Sequence, residues 1–232
     1  MSPIPAPNMR ADIPVLYSFR RCPYAMRARM AIAVSGLTVE LRDILLKDKP
    51  DEMVSASPKA TVPVLVTGDG QILEESLDIL HWGLQQSDPE GWLPEDEEQL
   101  RDIKNLIAEN DGPFKSALDR YKYHVRFPER GREDYRQEGE TFLAKLEARL
   151  AQGRFLMGET PTVADIAIFP FIRQFANSDS DWFYAAPYPA LQKWLTSWLG
   201  SEIFLHIMKK RPIWQPGLTG PFFPDLTFSD ST

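Results

Sequence analysis

The sequence predicts two domains of different class, an α/β domain with a mixed four-stranded sheet over residues 12–87 and an all-helical domain over residues 95–210. Short apolar runs alternate with helix-prone segments in the first part of the chain. Strand-like patterns then cease, and a polar stretch at residues 87–91 separates the two parts. The 232 residues are enough for both cores, and the proline- and aromatic-rich residues 211–232 are predicted to form an extended tail.

The first domain is predicted to contain strands and helices in the order β-α-β-α-β-β-α. A helix between the first two strands makes them parallel, whereas the turn Gly68-Asp69-Gly70 makes the last two an antiparallel hairpin. Pro23 suits the first turn of the first helix, and Gly36 suits its end. In chain order the segments are 13–17, 25–34, 39–43, 47–57, 62–66, 71–73 and 76–86.

The second domain is predicted to be built from helices alone. A stretch at residues 110–113 is expected to kink or split the first helical segment, because its proline removes a helical hydrogen bond. Thr162 and Asp165 form a capping-box pattern, which is a folding signal at the start of the third segment. The segments with helical spacing or composition are 95–126, 133–152, 163–176 and 189–210.

Composition argues against several classes of function. The net charge of −7 is unlike that of a nucleic-acid binder, which needs a basic patch. No apolar run approaches the ~20 residues of a membrane span, and the first residues lack the pattern of a secretory signal, so a cytoplasmic location is expected. His81, His124 and His206 are scattered along the sequence and do not predict a metal site.

Cys22 is the only cysteine in the chain and cannot form an intramolecular disulfide. A free cysteine is often a buried structural residue, but Cys22 lies between a predicted strand and a predicted helix. The N-terminus of a helix stabilises an anion, and the thiolate is the reactive form of cysteine. Because Ala25 occupies the second position of a dithiol motif, disulfide exchange here needs an external thiol such as glutathione.

Positive charge surrounds this cysteine in the sequence, at Arg20, Arg21, Arg27 and Arg29. Some of these side chains must point away from the sulfur, because residues on one helix project in different directions. The pattern therefore leaves open which arginine, if any, faces the thiol. The helix N-terminus alone is sufficient to explain activation of the thiol.

Two further sites have both a structural and a functional interpretation. A cis bond at Val62-Pro63 would present the backbone N–H and C=O of Val62 to a peptide ligand, whereas a trans bond would be an ordinary strand start. The sequence does not choose between the two isomers. Glu75-Ser76 begins a predicted helix, where the serine can cap its own helix or the helix N-terminus can bind a carboxylate.

These motifs together resemble the glutathione transferase superfamily, over about residues 15–210. The similarity is greatest to the omega-class and related cysteine-type transferases, which include dehydroascorbate reductases and two-domain glutaredoxins. It implies a thioredoxin-like N-terminal domain followed by an all-helical domain. The motifs are C-P-Y-A-M-R-A-R (22–29), L-K-D-K-P (46–50), T-V-P-V-L (61–65), E-E-S (74–76), T-V-A-D-I-A-I-F-P (162–170) and Y-P-A-L-Q-K-W (188–194).

The resemblance implies roles for the residues around the thiol. Cys22 would be the catalytic residue and would form a mixed disulfide with glutathione. Tyr24 would line the glutathione pocket. Val62 would pair its backbone with the cysteinyl part of glutathione, with Pro63 in the cis form.

The resemblance also implies groups that hold the two ends of glutathione. Glu75 would bind the amine and Ser76 the carboxylate of the γ-glutamyl end. Lys49 would reach the glycyl carboxylate, although a lysine in a polar loop is otherwise expected to be a solvated surface residue. Glutathione has two carboxylates and one amine, so a cation, a helix N-terminus and an anion form a chemically matched set.

The pocket for the second substrate is expected between the domains, where the helical half faces Cys22. The aromatic candidates are Phe114, Tyr121, Tyr123 and Trp214. Aromatic residues at helical spacing more often belong to a core than to a pocket.

The leading hypothesis is a glutathione-dependent thiol transferase or reductase that uses one cysteine and acts on a disulfide or a small electrophile. One alternative is conjugation of glutathione to small electrophiles, for which Tyr17 and Ser18 offer nearby hydroxyls. Another is a non-enzymatic regulatory binding protein on the same fold. The resemblance further implies a homodimer and no metal.

Overall fold

The computed structural model describes residues 13–225, which divide into two compact units. The first unit contains residues 13–89 together with residues 206–225, and the second is Glu90–Leu205. The end of the described chain is therefore part of the same unit as its beginning.

The first unit contains one mixed sheet. Its strands are β1 (Val15–Ser18), β2 (Val39–Asp43), β3 (Val64–Val66), β4 (Ile72–Leu73) and β5 (Phe222–Phe223), in the spatial order β4-β3-β1-β2-β5. β1 and β2 are parallel and every other pair is antiparallel, which confirms the predicted mixed sheet. The prediction of four strands is wrong, because the C-terminal tail supplies a fifth.

Three helices of the first unit follow the predicted order. They are α1 (Pro23–Ser35), α2 (Asp51–Ala56) and α3 (Ser76–Gln86). Gly36 ends α1 in the left-handed conformation, with φ 69°, which glycine adopts without the steric cost of a side chain. α1 and α3 pack closely, since a Cβ at Gly83 would be 3.5 Å from Ile32. α1 begins shortly after the end of β1, and α3 begins shortly after the end of β4.

Residues 211–225 run along the open edge of β2, and we call them the C-terminal strap. The backbone N–H of Trp214 donates to the carbonyl of Asp43 at 2.8 Å. A Cβ at Gly220 would be only 2.4 Å from the carbonyl oxygen of Leu41, so this close approach requires glycine. The strap covers a sheet edge that would otherwise expose unpaired backbone groups.

Trp214 anchors the strap to the core of the first unit. Its ring is 7% exposed and packs edge-on against Tyr17, with centroids 6.1 Å apart. The guanidinium of Arg42 lies 4.3 Å from the centre of the Trp214 ring. Cys22 and Val62 contact the same hydrophobic cluster as Trp214. Trp214 of the strap is therefore part of the hydrophobic cluster against which Cys22 packs.

The second unit is helical, as predicted. A π-helical turn at Asn110–Phe114 contains Pro113, at the place where the sequence predicts a kink or break. None of the helices between residues 13 and 225 combines the length and apolar character of a membrane span. The α-helices are α4 (Glu97–Glu109), α5 (Lys115–Lys122), α6 (Arg132–Leu150), α7 (Val163–Ala176), α8 (Ser180–Ala185), α9 (Pro189–Leu199) and α10 (Glu202–Ile207), which crosses into the first unit.

The predicted capping box is present at the start of α7. Thr162 Oγ1 accepts a hydrogen bond from the N–H of Ala164 at 3.2 Å. The carboxylate of Asp165 is completely buried and accepts from Thr162 N at 2.9 Å, Leu156 N at 3.0 Å and Trp194 Nε1 at 2.8 Å. Burial raises the pKa of Asp165 to about 6, and these donors act in the opposite direction. One side chain thus joins the start of α7 to the preceding loop and to α9.

Candidate functional site

Cys22 occupies the N-terminal cap of α1, with φ −72° and ψ 124°. Its carbonyl accepts the first helical hydrogen bond, from Met26 N at 2.9 Å, and Pro23 takes the first helical position. The thiol is partly exposed. This is the position at which the free N–H groups of the helix favour a thiolate.

The sulfur lies beside the backbone of a segment 40 residues further along the chain. Cys22 Sγ is 3.6 Å from the carbonyl oxygen of Val62. The Val62-Pro63 bond is cis, which decides the question that the sequence left open. The thiol and the predicted peptide-pairing backbone are therefore in direct contact.

A buried arginine of α1 contacts the N-terminus of α3. The structure makes Glu75, not Ser76, the N-cap residue of α3, and Ser76 is the first helical residue. The guanidinium of Arg27 donates to Ser76 Oγ at 3.4 Å and lies 5.4 Å from the centre of the Tyr24 ring. Arg27 is completely buried. Sequence reasoning named it only as one of four nearby charges.

Glu75 is paired with a lysine that sequence reasoning missed. Lys59 Nζ is 2.8 Å from Glu75 Oε1 and 3.7 Å from Glu74 Oε2. Both Lys59 and Glu75 are exposed, with 54% and 66% of their side chains accessible. The hydrogen bond to Glu75 and the two negative charges raise the pKa of Lys59. The Glu75 carboxylate, which is expected to bind the amine of glutathione, is thus paired with the ammonium group of Lys59.

Lys49 is exposed in the loop that leads to α2. Its neighbours Asp48 and Pro50 help to line a cleft of about 160 Å³ between this loop and the strap. The other lining residues are Ile44, Leu45, Ile213, Trp214, Gln215 and Pro216. Lys49 itself is not one of the residues that line this cleft.

Arg29 is the charged side chain that is tied most closely to the segment before Cys22. Its Nη1 donates to Ser18 Oγ at 2.7 Å, and its Nη2 donates to the carbonyl of Arg20 at 2.6 Å. Asp43 Oδ1 is 3.8 Å from the same Nη1. Burial lowers the pKa of Arg29 to about 10, whereas the negative charges of Asp43 and Cys22 act to raise it. Cys22 is thus one of the charged groups that act on Arg29.

The aromatic residues predicted to line a second-substrate pocket lie in different environments. Phe114 and Tyr121 are 2% and 1% exposed and contact Phe175 in the helical core, with ring centroids 5.4 Å and 4.9 Å away. Tyr123 is 37% exposed at the end of α5. Trp214 belongs to the strap of the first unit. Burial in a core is the more common role of such aromatics.

The histidines do not form a metal site in the part of the chain that the structure describes. Between residues 13 and 225, no group of three or more His, Cys, Asp or Glu side chains is placed to hold a metal ion. His206 is 2% exposed, and its Nε2 lies 3.1 Å from Asp225 Oδ1.

Comparison with known proteins matches two family models to the chain. Residues 16–91 match the model of the glutathione S-transferase N-terminal domain, and residues 128–197 match that of the C-terminal domain. The maleylacetoacetate isomerase of Rattus norvegicus is 30% identical over 207 residues, which cover 84% of this chain and 92% of that protein. Glutathione S-transferase omega-1 of Mus musculus is 27% identical over 176 residues, covering 74% and 69%.

Solved structures of glutathione transferases share the fold. One from Pseudomonas putida, with one glutathione disulfide bound per subunit, has a TM-score of 0.75 at 21% identity and covers 88% of this chain and 94% of that one. A family member from Pseudomonas fluorescens, with two glutathione molecules bound, has a TM-score of 0.74 at 20% identity, covering 87% and 95%. The predicted thioredoxin-like and helical architecture is confirmed, and the chain belongs to the glutathione S-transferase family.

Proposed function

We propose that this transferase is a glutathione-dependent thiol transferase in which Cys22 is the nucleophile. The observation that carries the proposal is the position of its sulfur, at the N-terminus of α1 and 3.6 Å from the backbone of Val62. Because the chain has no other cysteine, the resolving thiol comes from a second glutathione.

The reaction proceeds in two thiol–disulfide exchanges. The Cys22 thiolate attacks the glutathionyl sulfur of a mixed disulfide, so that a Cys22–glutathione disulfide forms while the original S–S bond breaks. The released thiolate takes a proton from solvent. The thiolate of a second glutathione then attacks the glutathionyl sulfur on Cys22, which forms glutathione disulfide and returns Cys22 to its thiolate.

The residues around Cys22 match the parts of glutathione. The backbone of Val62, beside the Cys22 sulfur, pairs with the cysteinyl residue. The N-terminus of α3 at Ser76 faces the γ-glutamyl carboxylate, where the buried charge of Arg27 adds attraction. The carboxylate of Glu75 binds the amine, in the place that Lys59 holds in the structure. Lys49 reaches the glycyl carboxylate.

Mass spectrometry after treatment with oxidised glutathione tests the proposal directly. The wild-type protein is expected to carry one glutathione on Cys22, which reduced glutathione removes. Cys22→Ser should carry none. An unmodified wild-type protein, or an adduct that survives in Cys22→Ser, would contradict the proposed mechanism.

Replacing Lys59 with methionine tests the proposed amine site. The Lys59 ammonium must leave Glu75 before the amine of glutathione can bind there. We therefore expect KM for glutathione to fall about two- to fivefold with kcat nearly unchanged, because an exposed ion pair contributes little. Steady-state kinetics measure this, and Lys104→Met on α4 is the control. A rise in KM would show that Lys59 attracts the substrate instead of competing with it.

A second candidate function is suggested by the relatives named maleylacetoacetate isomerase. A thiol that adds reversibly to a carbon–carbon double bond allows rotation about it, so the same site could serve an isomerase. A spectrophotometric assay of cis–trans isomerisation of maleylacetoacetate with glutathione distinguishes an isomerase from a thiol transferase. Isomerisation that is retained in Cys22→Ser, with disulfide reduction absent in both proteins, would favour the isomerase.

A further inference from the structure

Arg29 forms hydrogen bonds with the segment that joins β1 to Cys22. It lies seven residues beyond Cys22 on the same helix, about two turns, and helical side chains lean towards the N-terminus. Its guanidinium therefore reaches back to Ser18 Oγ at 2.7 Å, at the end of β1, and to the carbonyl of Arg20 at 2.6 Å. Two hydrogen bonds from one rigid group hold this connection in place.

Arg29 forms a buried ion pair with Asp43, but the pair is too long for a hydrogen bond. The side chain is 1% exposed, and the nearest carboxylate oxygen, Asp43 Oδ1, is 3.8 Å away. Arg20 and Arg211 also act on Arg29 and on Asp43, and Arg211 is itself paired with Asp225 at 2.8 Å, so three cations face two carboxylates in this region. Positive charge thus remains in excess where water is excluded, and charge interactions are strong in such a place.

The thiol and the guanidinium act on each other. The negative charge of Cys22 raises the pKa of Arg29, against the larger effect of burial. Interaction between two charged groups is mutual, so the guanidinium favours the thiolate over the neutral thiol by the same interaction. The helix N-terminus provides a second and independent stabilisation.

We propose that Arg29 is the positioning residue of Cys22: it fixes the segment that carries the sulfur and supplies the buried positive charge that favours the thiolate. Asp43 limits this effect, because it shares the charge of Arg29. The contribution to turnover rests on the proposed thiol-transfer function, whereas the effect on ionisation of the thiol does not.

Alkylation of Cys22 by iodoacetamide, measured from pH 5 to pH 9, tests the proposal without glutathione. For Arg29→Met we expect the midpoint of the pH profile to move up by about one pH unit, so that alkylation below the midpoint slows about tenfold. Arg29→Lys should recover part of the shift. Asp43→Asn breaks the same contact but removes a negative charge, so its midpoint should move down.

The opposite signs separate an electrostatic role from a merely structural one. If loss of the contact acted only by loosening the segment, Arg29→Met and Asp43→Asn would move the midpoint in the same direction, and the proposal would be overturned. A midpoint in Arg29→Met equal to that of wild type would also overturn it. If Arg29→Met does not fold by circular dichroism, Asp43→Asn and Arg29→Lys decide the sign. The outcome does not depend on whether disulfides are the substrate.

Discussion

Replacing Cys22 with serine is expected to lower the rate of glutathione-dependent disulfide reduction by about 10³-fold or more. A hydroxyl is a far weaker nucleophile than a thiolate at neutral pH, and no other cysteine in the chain can replace it. The measurement is the reduction of bis(2-hydroxyethyl) disulfide by glutathione, followed through regeneration of reduced glutathione.

Conjugation to a chromogenic aryl halide, measured on Cys22→Ser and Cys22→Ala, separates the two transferase mechanisms. A serine hydroxyl at the N-terminus of α1 can donate a hydrogen bond to the thiolate of bound glutathione, whereas alanine cannot. We therefore expect conjugation to appear or rise in Cys22→Ser and not in Cys22→Ala. If Cys22→Ser retained full disulfide reduction, Cys22 would not be the nucleophile.

Replacing Asp165 with alanine is expected to lower the free energy of unfolding by at least about 3 kcal/mol. The variant leaves the N–H groups of Thr162 and Leu156 and the indole N–H of Trp194 without their buried acceptor. Each buried donor without a partner costs about 1–3 kcal/mol. Urea denaturation monitored by tryptophan fluorescence and circular dichroism measures the change.

Asp134→Ala is the matched control for this prediction. Asp134 is the third residue of α6, as Asp165 is of α7, and its Oδ2 accepts from the N–H of the N-cap residue Gly131 at 3.0 Å, but 48% of its side chain is exposed. Water can replace the lost acceptor there, so the expected cost is about 1 kcal/mol or less. Equal losses in the two variants would show that burial of the Asp165 network is not what stabilises the helical unit.

Features controlled by neighbouring residues could be predicted from the sequence. Cys22 caps α1 because a strand, a cysteine, a proline and a helix-prone run follow one another directly. Gly36 ends α1, and the Thr162–Asp165 pair begins α7, because these signals act within a few residues. The parallel pairing of the first two strands and the antiparallel hairpin of the next two also follow from the lengths and types of their connections.

The strap could not be predicted in the same way. Its strand contains only Phe222 and Phe223, which have no alternating pattern, and its partner Val39 is far away in the sequence. The pairing depends on the edge of β2 and on the close approach of Gly220 to Leu41, which no local sequence pattern specifies. The sequence therefore predicts an extended tail but not a strand of the sheet.

The candidate site shows the same division between local and distant information. The sequence by itself determined that the thiol lies at a helix N-terminus and that any disulfide exchange needs a second molecule. Only the tertiary structure decided that Arg29 is buried against the segment before Cys22, that Lys59 is paired with Glu75 and that Phe114 and Tyr121 are buried. The physical reason is that capping acts along the chain over a few residues, whereas charge pairing and burial depend on which distant segments the fold brings together.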